Sequence, residues 1–530
     1  MATSPRRRAV LMFIVAALVV AVILFSLPIA LTPGLRARLT DALGERFGSD
    51  VELSSLRVSL LPRLRVSSDG VVLRHKGRTD VPPLVTIASF SAEATLRGLL
   101  GRPLRLSRVR VEGLEINVPP GGIDGDDDED PRRPPQTDAP RDEPPQAPDD
   151  EPAASPLIVE DLIAERAVLR ILRRDPGKEP RVWEIAELSM QGTGSNEPWP
   201  FRARLTNPIP PGRLAVQGTF GPWHAEQPSN TPLGAAYEFQ DADLAMFKGI
   251  HGVLQSTGKF EGVLERIAVE GTTSVPEFGL DGVDQPVPLT TDFSAVVDGT
   301  NGNVWLQPVR AQLGQSSLVA DGGIVEPEGE DGRTVSLDVV MTEGRVEDVL
   351  RLVVKGEPAL AGALQLKAKL LFPPGDVEAI EKLRLDGSFG IGSARFSEGG
   401  LQAKMNDLSQ KARGEADSKE PPDRVATDFA GRFVMKGGVI RFSTLTFAVP
   451  GAKLDLAGTY AVRSEALDFR GTVRMEAKLS ELTTGFKSFL LKAVDPLVRR
   501  NDVTVIPITV SGTAAKPEFG LDVKRAFSAK

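Results

Sequence analysis

Histidine is the first residue to test for chemistry, and this chain has three: His75, His224 and His251. None stands at metal-ligand spacing from Glu, Asp or another His, so each is expected on the surface or in a loop. The absence of cysteine removes disulfides, thiolate metal sites and cysteine nucleophiles. The run DGDDDED at 124–130 resembles the start of a calcium loop, which needs Gly at its sixth position and Glu at its twelfth. Counted from Asp124, those positions hold Glu129 and Pro135, so the run reads as a solvated spacer. Neither a G-x-S-x-G elbow nor a phosphate loop G-x-x-x-x-G-K-[ST] occurs. The glycines of DGSFGIGSARF (386–396) invite a nucleotide reading, but they sit in a strand pattern with no helix to follow, so a turn or bulge is expected. Arg102, Arg105, Arg108 and Arg110 form a basic strand able to touch lipid headgroups or nucleic acid. Base-stacking aromatics are missing beside it, and a solvated face is the simpler reading. No pair of carboxylates falls in an apolar setting. The chain therefore reads as a non-enzyme with no metal, no cofactor and no nucleic-acid partner.

One motif is duplicated. PEFGLD occurs at 276–281 and 517–522, each time within V-x-G-T-x-x-x-P-E-F-G-L-D. Neither copy has a base, nucleophile or ligand beside it in sequence. Pro lacks a donor N–H and suits a strand start or edge, while Phe278 and Leu280 share one face. PEFGLD reads as a closing strand used twice, and it sets a segment boundary near 282.

The elements around these residues are mostly strands. Alternation of apolar and polar residues marks a strand with one apolar and one wet face. It recurs at Val335/Leu337/Val339/Met341, at Leu364/Leu366/Ala368/Leu370, at Val473/Met475/Ala477/Leu479 and from Val287 through Leu289 and Phe293 to Val297. Near the N-terminus it appears at Leu104/Leu106, Val109/Val111 and Leu114/Ile116/Val118. Helical patterns are few: 241–250, 345–354, 376–383 and 480–500, besides a short amphipathic helix after Thr32, with Leu35, Leu39, Ala42 and Phe47 on one side. GSFGIGSARFS (387–397) and GRFVMKGGVIRFS (431–443) share G-x-F, a glycine turn and R-F-S; both read as hairpins of an old duplicated β unit. GTF at 218 and GKF at 258 read as strand openings.

Charge and hydropathy divide the chain further. The net charge is -8, yet residues 119–156 hold twelve Asp/Glu against three Arg, and the remainder has 60 basic against 59 acidic residues. That Pro-rich stretch reads as a disordered, acidic linker. Arg6–Arg8 precede an uncharged run from Ala9 to Leu31, long enough to span a bilayer at ~20 apolar residues. A cleaved signal has a shorter apolar region and small residues before its cleavage site, whereas Pro28 stands two positions before Ala30. An uncleaved anchor is expected, with the basic tail cytoplasmic. The expected order is a basic tail (1–8), a transmembrane anchor (9–31), an N-terminal β module (32–118), the linker (119–156), a middle β segment (157–281) and a C-terminal β domain (282–530).

An amphipathic sheet must cover its apolar face. Periodicity by itself points to an ordinary packed core, with a second sheet as cover. The alternative is a curled trough whose apolar face meets acyl chains, and an anchor ahead of the sheet moves the reading toward lipid without settling it.

In order of patterns, the chain resembles the AsmA-like proteins of Gram-negative envelopes. The resemblance rests on the anchor and short helix, then GSDVELSSLRVSLLPRLRVSSDGVVLRH and PPLVTIASFSAEATLRGLLGRPLRLSRVRVEGLEINVPP. It is carried at the other end by FSTLTFAVPGAKLDLAGTYAVRSEALDFRGTVRMEAKLSELTTGFKSFLLKAVDPL and IPITVSGTAAKPEFGLD. It spans about 32–118 and most of 157–523 and departs from the family at the acidic linker. The resemblance implies an inner-membrane-anchored, elongated and curled antiparallel β-sheet, groove-like, with the bulk of the chain periplasmic. It also implies phospholipid handling in outer-membrane biogenesis; the alternative is a non-enzymatic envelope-assembly scaffold. On the lipid reading, Leu289, Phe293 and Leu337 contact acyl chains, with Val339 and Leu366 beside them.

Overall fold

The computed structural model describes residues 49–118, 157–397, 427–475 and 503–521, apart from short gaps, together with residues 29–30, 406, 409 and 499–500. The linker, His224, the amphipathic helix at 32–48 and most of the helical pattern at 480–500 lie outside these residues, as does the apolar run up to residue 28. Ile29 and Ala30, assigned from sequence to the anchor, pair instead with Val58 and Arg57. Among the described residues no helix is long and apolar enough to cross a membrane. The protein is mainly β, with few helices. It divides into two compact units, residues 1–242 with 257–267 and residues 243–256 with 268–530.

The first unit contains β1 (Ile29–Ala30), β2 (Ser49–Leu53), β3 (Arg57–Ser59), β4 (Leu64–His75), β5 (Val85–Ala94), β6 (Leu104–Leu106), β7 (Arg108–Val118), β8 (Leu157–Ile171), β9 (Arg181–Thr193), β10 (Trp199–Pro208), β11 (Pro211–Phe220) and β12 (Pro232–Asp243). Pairing follows β4–β5–β7–β8–β9–β10–β11–β12. Alternation predicts a continuous apolar row, and the register delivers one through Val111, Ala164, Leu188, Ala203, Val216 and Tyr237. The parity switch between Val109/Val111 and Leu114/Ile116 falls at Gly113, whose φ of 62° takes the backbone into a region that favours glycine, while the register with both neighbours runs on unbroken.

The expected all-antiparallel pairing fails at one seam. β7 and β8 are parallel, and so are β6 and β8. Three ion pairs cross the β7–β8 seam: Arg108 to Asp161 at 3.4 Å, Arg170 to Glu115 at 2.8 Å, and Arg166 to Glu112. Each exposed pair contributes about 0.2–1 kcal/mol, so their main effect is to favour this register. Parallel neighbours need a crossover of a dozen or more residues. Leu157 pairs beside Leu104 while the preceding strand ends at Val118. The connection must therefore run back along fourteen residues of strand, or ~46 Å at ~3.3 Å per residue. Residues 119–156 are more than long enough for that return.

The second unit contains β13 (Ile250–His251), most of β15 (Arg266–Leu280), and then β16 (Val287–Val297), β17 (Val304–Leu313), β18 (Ser316–Val325), β19 (Thr334–Arg345), α1 (Val346–Val353), β20 (Leu360–Phe372), α2 (Ala379–Lys382), β21 (Arg384–Phe396), β22 (Thr427–Lys436), β23 (Val439–Val449), β24 (Ala452–Ala461), β25 (Ala466–Met475), β26 (Arg499–Arg500), β27 (Val503–Gly512) and β28 (Pro517–Leu521). Between β13 and β15 lies β14 (Val253–Val263), which both units share. From β16 to β25 each strand pairs antiparallel with the next, and β25 continues to β27 and β28. Every pairing from β16/β17 to β23/β24 carries a register shift. Bulges bend the strand and increase its twist.

Of the expected helices, 241–250 reduces to a 3-10 turn at Leu244–Met246, 376–383 to the single turn of α2, and Arg499–Arg500 are strand. Among the described residues only 345–354 forms a full helix, α1, whose Val346 joins Met341, Leu364, Ile391 and Ala394 in a buried cluster. Burying each of the larger side chains, Ala394 aside, contributes roughly 1.5–3 kcal/mol. A polar clamp fixes α1 to the β17–β18 turn. Asp348, 1% exposed, accepts from the Gln315 N–H at 3.0 Å and from Ser316 Oγ at 2.8 Å. Beside it, Glu347 accepts from Arg345 Nε at 2.7 Å and from the Gly362 N–H at 3.2 Å. Burial pushes the Glu347 carboxyl up, but hydrogen bonds from its own backbone, Arg345 and Gly362, with the Arg345 charge, hold it below the ordinary value.

Complete deletion of 119–156 is expected to abolish the cooperative far-UV circular-dichroism melt of the first unit, whereas shortening it to about 20 residues, enough for the return, leaves the melt within a few degrees. A full deletion that melts like the parent excludes the parallel seam. Asp348→Ala leaves the Gln315 N–H without its acceptor and the Ser316 hydroxyl with only the Arg345 carbonyl at 3.5 Å to donate to, and is expected to cost about 1–3 kcal/mol in urea unfolding. A lowered carboxyl pKa stabilises the fold above the unfolded value of about 4.3, and that contribution is lost as pH falls through the folded value. Glu347→Gln is thus expected to destabilise at pH 7 and to match the parent in acid; equal destabilisation at both pH values contradicts the assignment.

Candidate functional site

The three histidines do not converge. His75 ends β4, and His251 lies on β13. The structure does bring His251 to the first PEFGLD copy, which the sequence reading missed. His251 Nδ1 stands 3.6 Å from Asp281 Oδ1, and Asp281 Oδ2 accepts from the Gly249 N–H at 2.8 Å. A Cβ at Gly279 would lie 2.3 Å from His251 Nε2, so the imidazole rests on that glycine. The signal lay in the local requirement for Gly279, not in spacing, because His251 is separated from Asp281 by a strand pair. Among the described residues no hydroxyl bonds to His251, and no cluster of three metal-ligating side chains occurs. The arrangement pins a turn. The second copy forms β28, where Phe519 is 57% exposed, so the copies share a strand but not an environment. On the basic strand, Arg105 and Arg110 are exposed, while Arg108 is engaged by Asp161.

The apolar face of the second unit gathers the remaining candidates. Leu289 pairs with Leu313 on β17, and Leu337 pairs with Gly322 on β18 and Leu370 on β20. Phe293 lies in the β16 bulge between Asp292 and Ala295. All three are half-buried and share one face, but they do not touch as one site. Leu337 is level with Ala295, three strands nearer the middle than Leu289 and Phe293.

The centre of that face is a phenylalanine seam. Phe389, Phe433 and Phe442 lie 6.2–6.4 Å apart, and Phe442 is 5.7 Å from Phe469. The two G-x-F phrases explain it. They sit on neighbouring antiparallel strands in a register that pairs Gly387 with Phe433 and Phe389 with Gly431, so each ring covers the other's glycine. A Cβ at Gly431 would approach the Phe389 ring to 2.7 Å, and one at Gly387 would meet the Lys367 carbonyl at 2.5 Å. The expectation of two similar hairpins is corrected: GSFGIGSARFS runs through one strand, β21, and GRFVMKGGVIRFS is a hairpin turning at Gly437–Gly438 with φ of 60° and 70°. GTF likewise closes β11 instead of opening a strand, and GKF lies inside β14.

Cover on this face is uneven. Two buried clusters occupy one rim, that of Met341 and Leu364 under α1 and that of Phe447, Val449, Ala452, Met475 and Ile506. Away from the rim, Leu337, Val339, Leu370, Phe433 and Phe442 stay only half-buried. A second sheet packed at about 10 Å would bury such rows. Two cavities lie elsewhere, on the polar faces: about 510 Å³ beside Arg202, Arg204 and Glu238 in the first unit, and about 680 Å³ beside Lys367 and Arg432 in the second.

No family model matches the chain, and no curated protein or solved structure matches it either.

If the Gly–Phe seam sets the face, Gly387→Val is expected to lower urea stability by about 1–3 kcal/mol, because the clash is with backbone. Gly390→Val, where an added Cβ meets nothing within 4 Å, is expected to stay within about 0.5 kcal/mol. Equal effects contradict the seam.

Proposed function

We propose that the apolar face of the second unit is the inner wall of a groove that holds the acyl chains of phospholipid, and that the protein handles lipid without catalysing a reaction. The observation that carries this reading is the uncovered part of the face. Leu337, Val339, Leu370, Phe433 and Phe442 form contiguous rows that remain half-buried, and a contiguous apolar surface left partly open to solvent fits a binding surface. The bulge in every pairing from β16 to β24 supports a curl toward one face. Acyl chains fit because the rows offer no polar group to a ligand, and burial at ~25 cal/mol per Å² rewards any apolar chain laid along them.

The resemblance of 32–118 and most of 157–523 to AsmA-like envelope proteins supports the same reading. With an anchor in the uncharged run from Ala9 to Pro28, the groove stands in the periplasm of a Gram-negative cell, tethered to the inner membrane and serving outer-membrane biogenesis.

A photoreactive benzoylphenylalanine at Leu337 or Phe433 of the full chain, expressed in a Gram-negative host with radiolabelled phospholipid, is expected to capture label on irradiation. The exposed polar-face positions Thr290 and Asp468 are expected to capture none, and Leu366→Asp to cut capture at Phe433 to below about a tenth, since a carboxylate in the row carries an uncompensated desolvation penalty. Label at both faces, or at neither, sinks the groove.

A further inference from the structure

The cavity of about 680 Å³ in the second unit opens on the face opposite the phenylalanine seam, across β19 to β23. Three cations line it, and they are not equivalent. Lys369 Nζ lies 3.6 Å from Asp338 Oδ1 and is in register with Asp386. Lys367 and Arg432 have no ion pair or hydrogen-bond partner among the described residues. Both pair in register with Ser388, Lys367 from β20 and Arg432 from β22, so one hydroxyl stands between two uncompensated charges. Their backbones are two strand spacings apart, about 9.6 Å, and both side chains are long enough to converge above Ser388. The bulge after Arg432 leaves Ser443 unpaired at the cavity wall. Val340 and Val434 flank the cations and stay 37% and 49% exposed, an unusual setting for large apolar residues on a polar face.

We propose that this cavity binds a phosphate-type oxyanion, free or as the headgroup of an anionic lipid, through Lys367 and Arg432 with the Ser388 hydroxyl between them. An oxyanion completes what the row lacks. Arg432 offers a planar fork to two oxygens, Lys367 a point charge to a third, and Ser388 a neutral donor. Asp338 is paired with Lys369, and Asp386 lies in register with Lys369 and Val434, so neither carboxylate pairs with Lys367 or Arg432. The site lies on the other face from the acyl groove, so it stands or falls independently of it.

The full chain in a neutral detergent is titrated calorimetrically with two probes, inorganic phosphate and the headgroup diester glycerophosphoglycerol. At least one is expected to show a single saturable site, tighter for phosphate if the ligand is free oxyanion and tighter for the diester if it is a headgroup. Lys367→Ala and Arg432→Ala are each expected to weaken it tenfold or more, and Lys369→Ala to change it less than about twofold, with circular dichroism unchanged in all three. Absence of saturable binding for both probes, losses under tenfold in the first two variants, or an equal loss in Lys369→Ala overturns the proposal.

Discussion

Register is the constraint on which the rest of this structure depends. Side chains alternate across a strand, so a slip of one residue moves the whole apolar set to the wrong face. In the second unit the difficulty is acute, because eight successive pairings contain a shift. The rows survive because the partner strand picks up the same face beyond each shift. Thr291 faces Ala311 before the β16 bulge and Ala295 faces Leu306 after it, and both pairs remain on the apolar side. Bulges thus bend the sheet without interrupting its apolar face.

What holds register across the sheet differs between the units. In the first, cross-strand charge does it: the ion pairs of Arg108, Glu112 and Glu115 with β8 reward one parallel alignment. In the second, shape does it. Gly387 and Gly431 accept the rings of Phe433 and Phe389, and a shift by one residue would set ring against charged neighbour instead. Ring over glycine also recovers packing that a bare glycine in a strand forfeits.

These devices explain what could be read in the chain itself. Alternation at Val335–Met341 and Leu364–Leu370 identified strands and their faces, since that signal is local. Leu114/Ile116/Val118 was visible as a strand pattern for the same reason. The parallel seam was not: Arg108 and Asp161 are 53 residues apart, and nothing in either strand's own pattern names its neighbour. The repeated G-x-F phrases were legible as repeats, but their meaning is a pairing between two copies, which the phrase alone does not contain. His251 and Asp281 escaped notice because β13 and β15 bring them together. The seam of Phe389, Phe433 and Phe442 was missed in favour of Leu289, Phe293 and Leu337, which share its face but sit to one side.

Alternation also separates two chemistries that share the same strands. Val339, Ala368, Gly387 and Phe433 turn to the apolar face, and the residues next to them, Val340, Lys367, Ser388 and Arg432, turn to the polar one. Either set can change without altering the pairing, because the backbone ladder between them carries the hydrogen bonds. The faces are nevertheless tied by curvature. The bulge between Arg432 and Phe433 bends the apolar side at the seam, and on the opposite side it sets Ser443 at the wall of the cationic cavity. A single inserted residue therefore shapes the apolar rows and the polar cavity together, which gives that bulge more consequence than any one side chain around it.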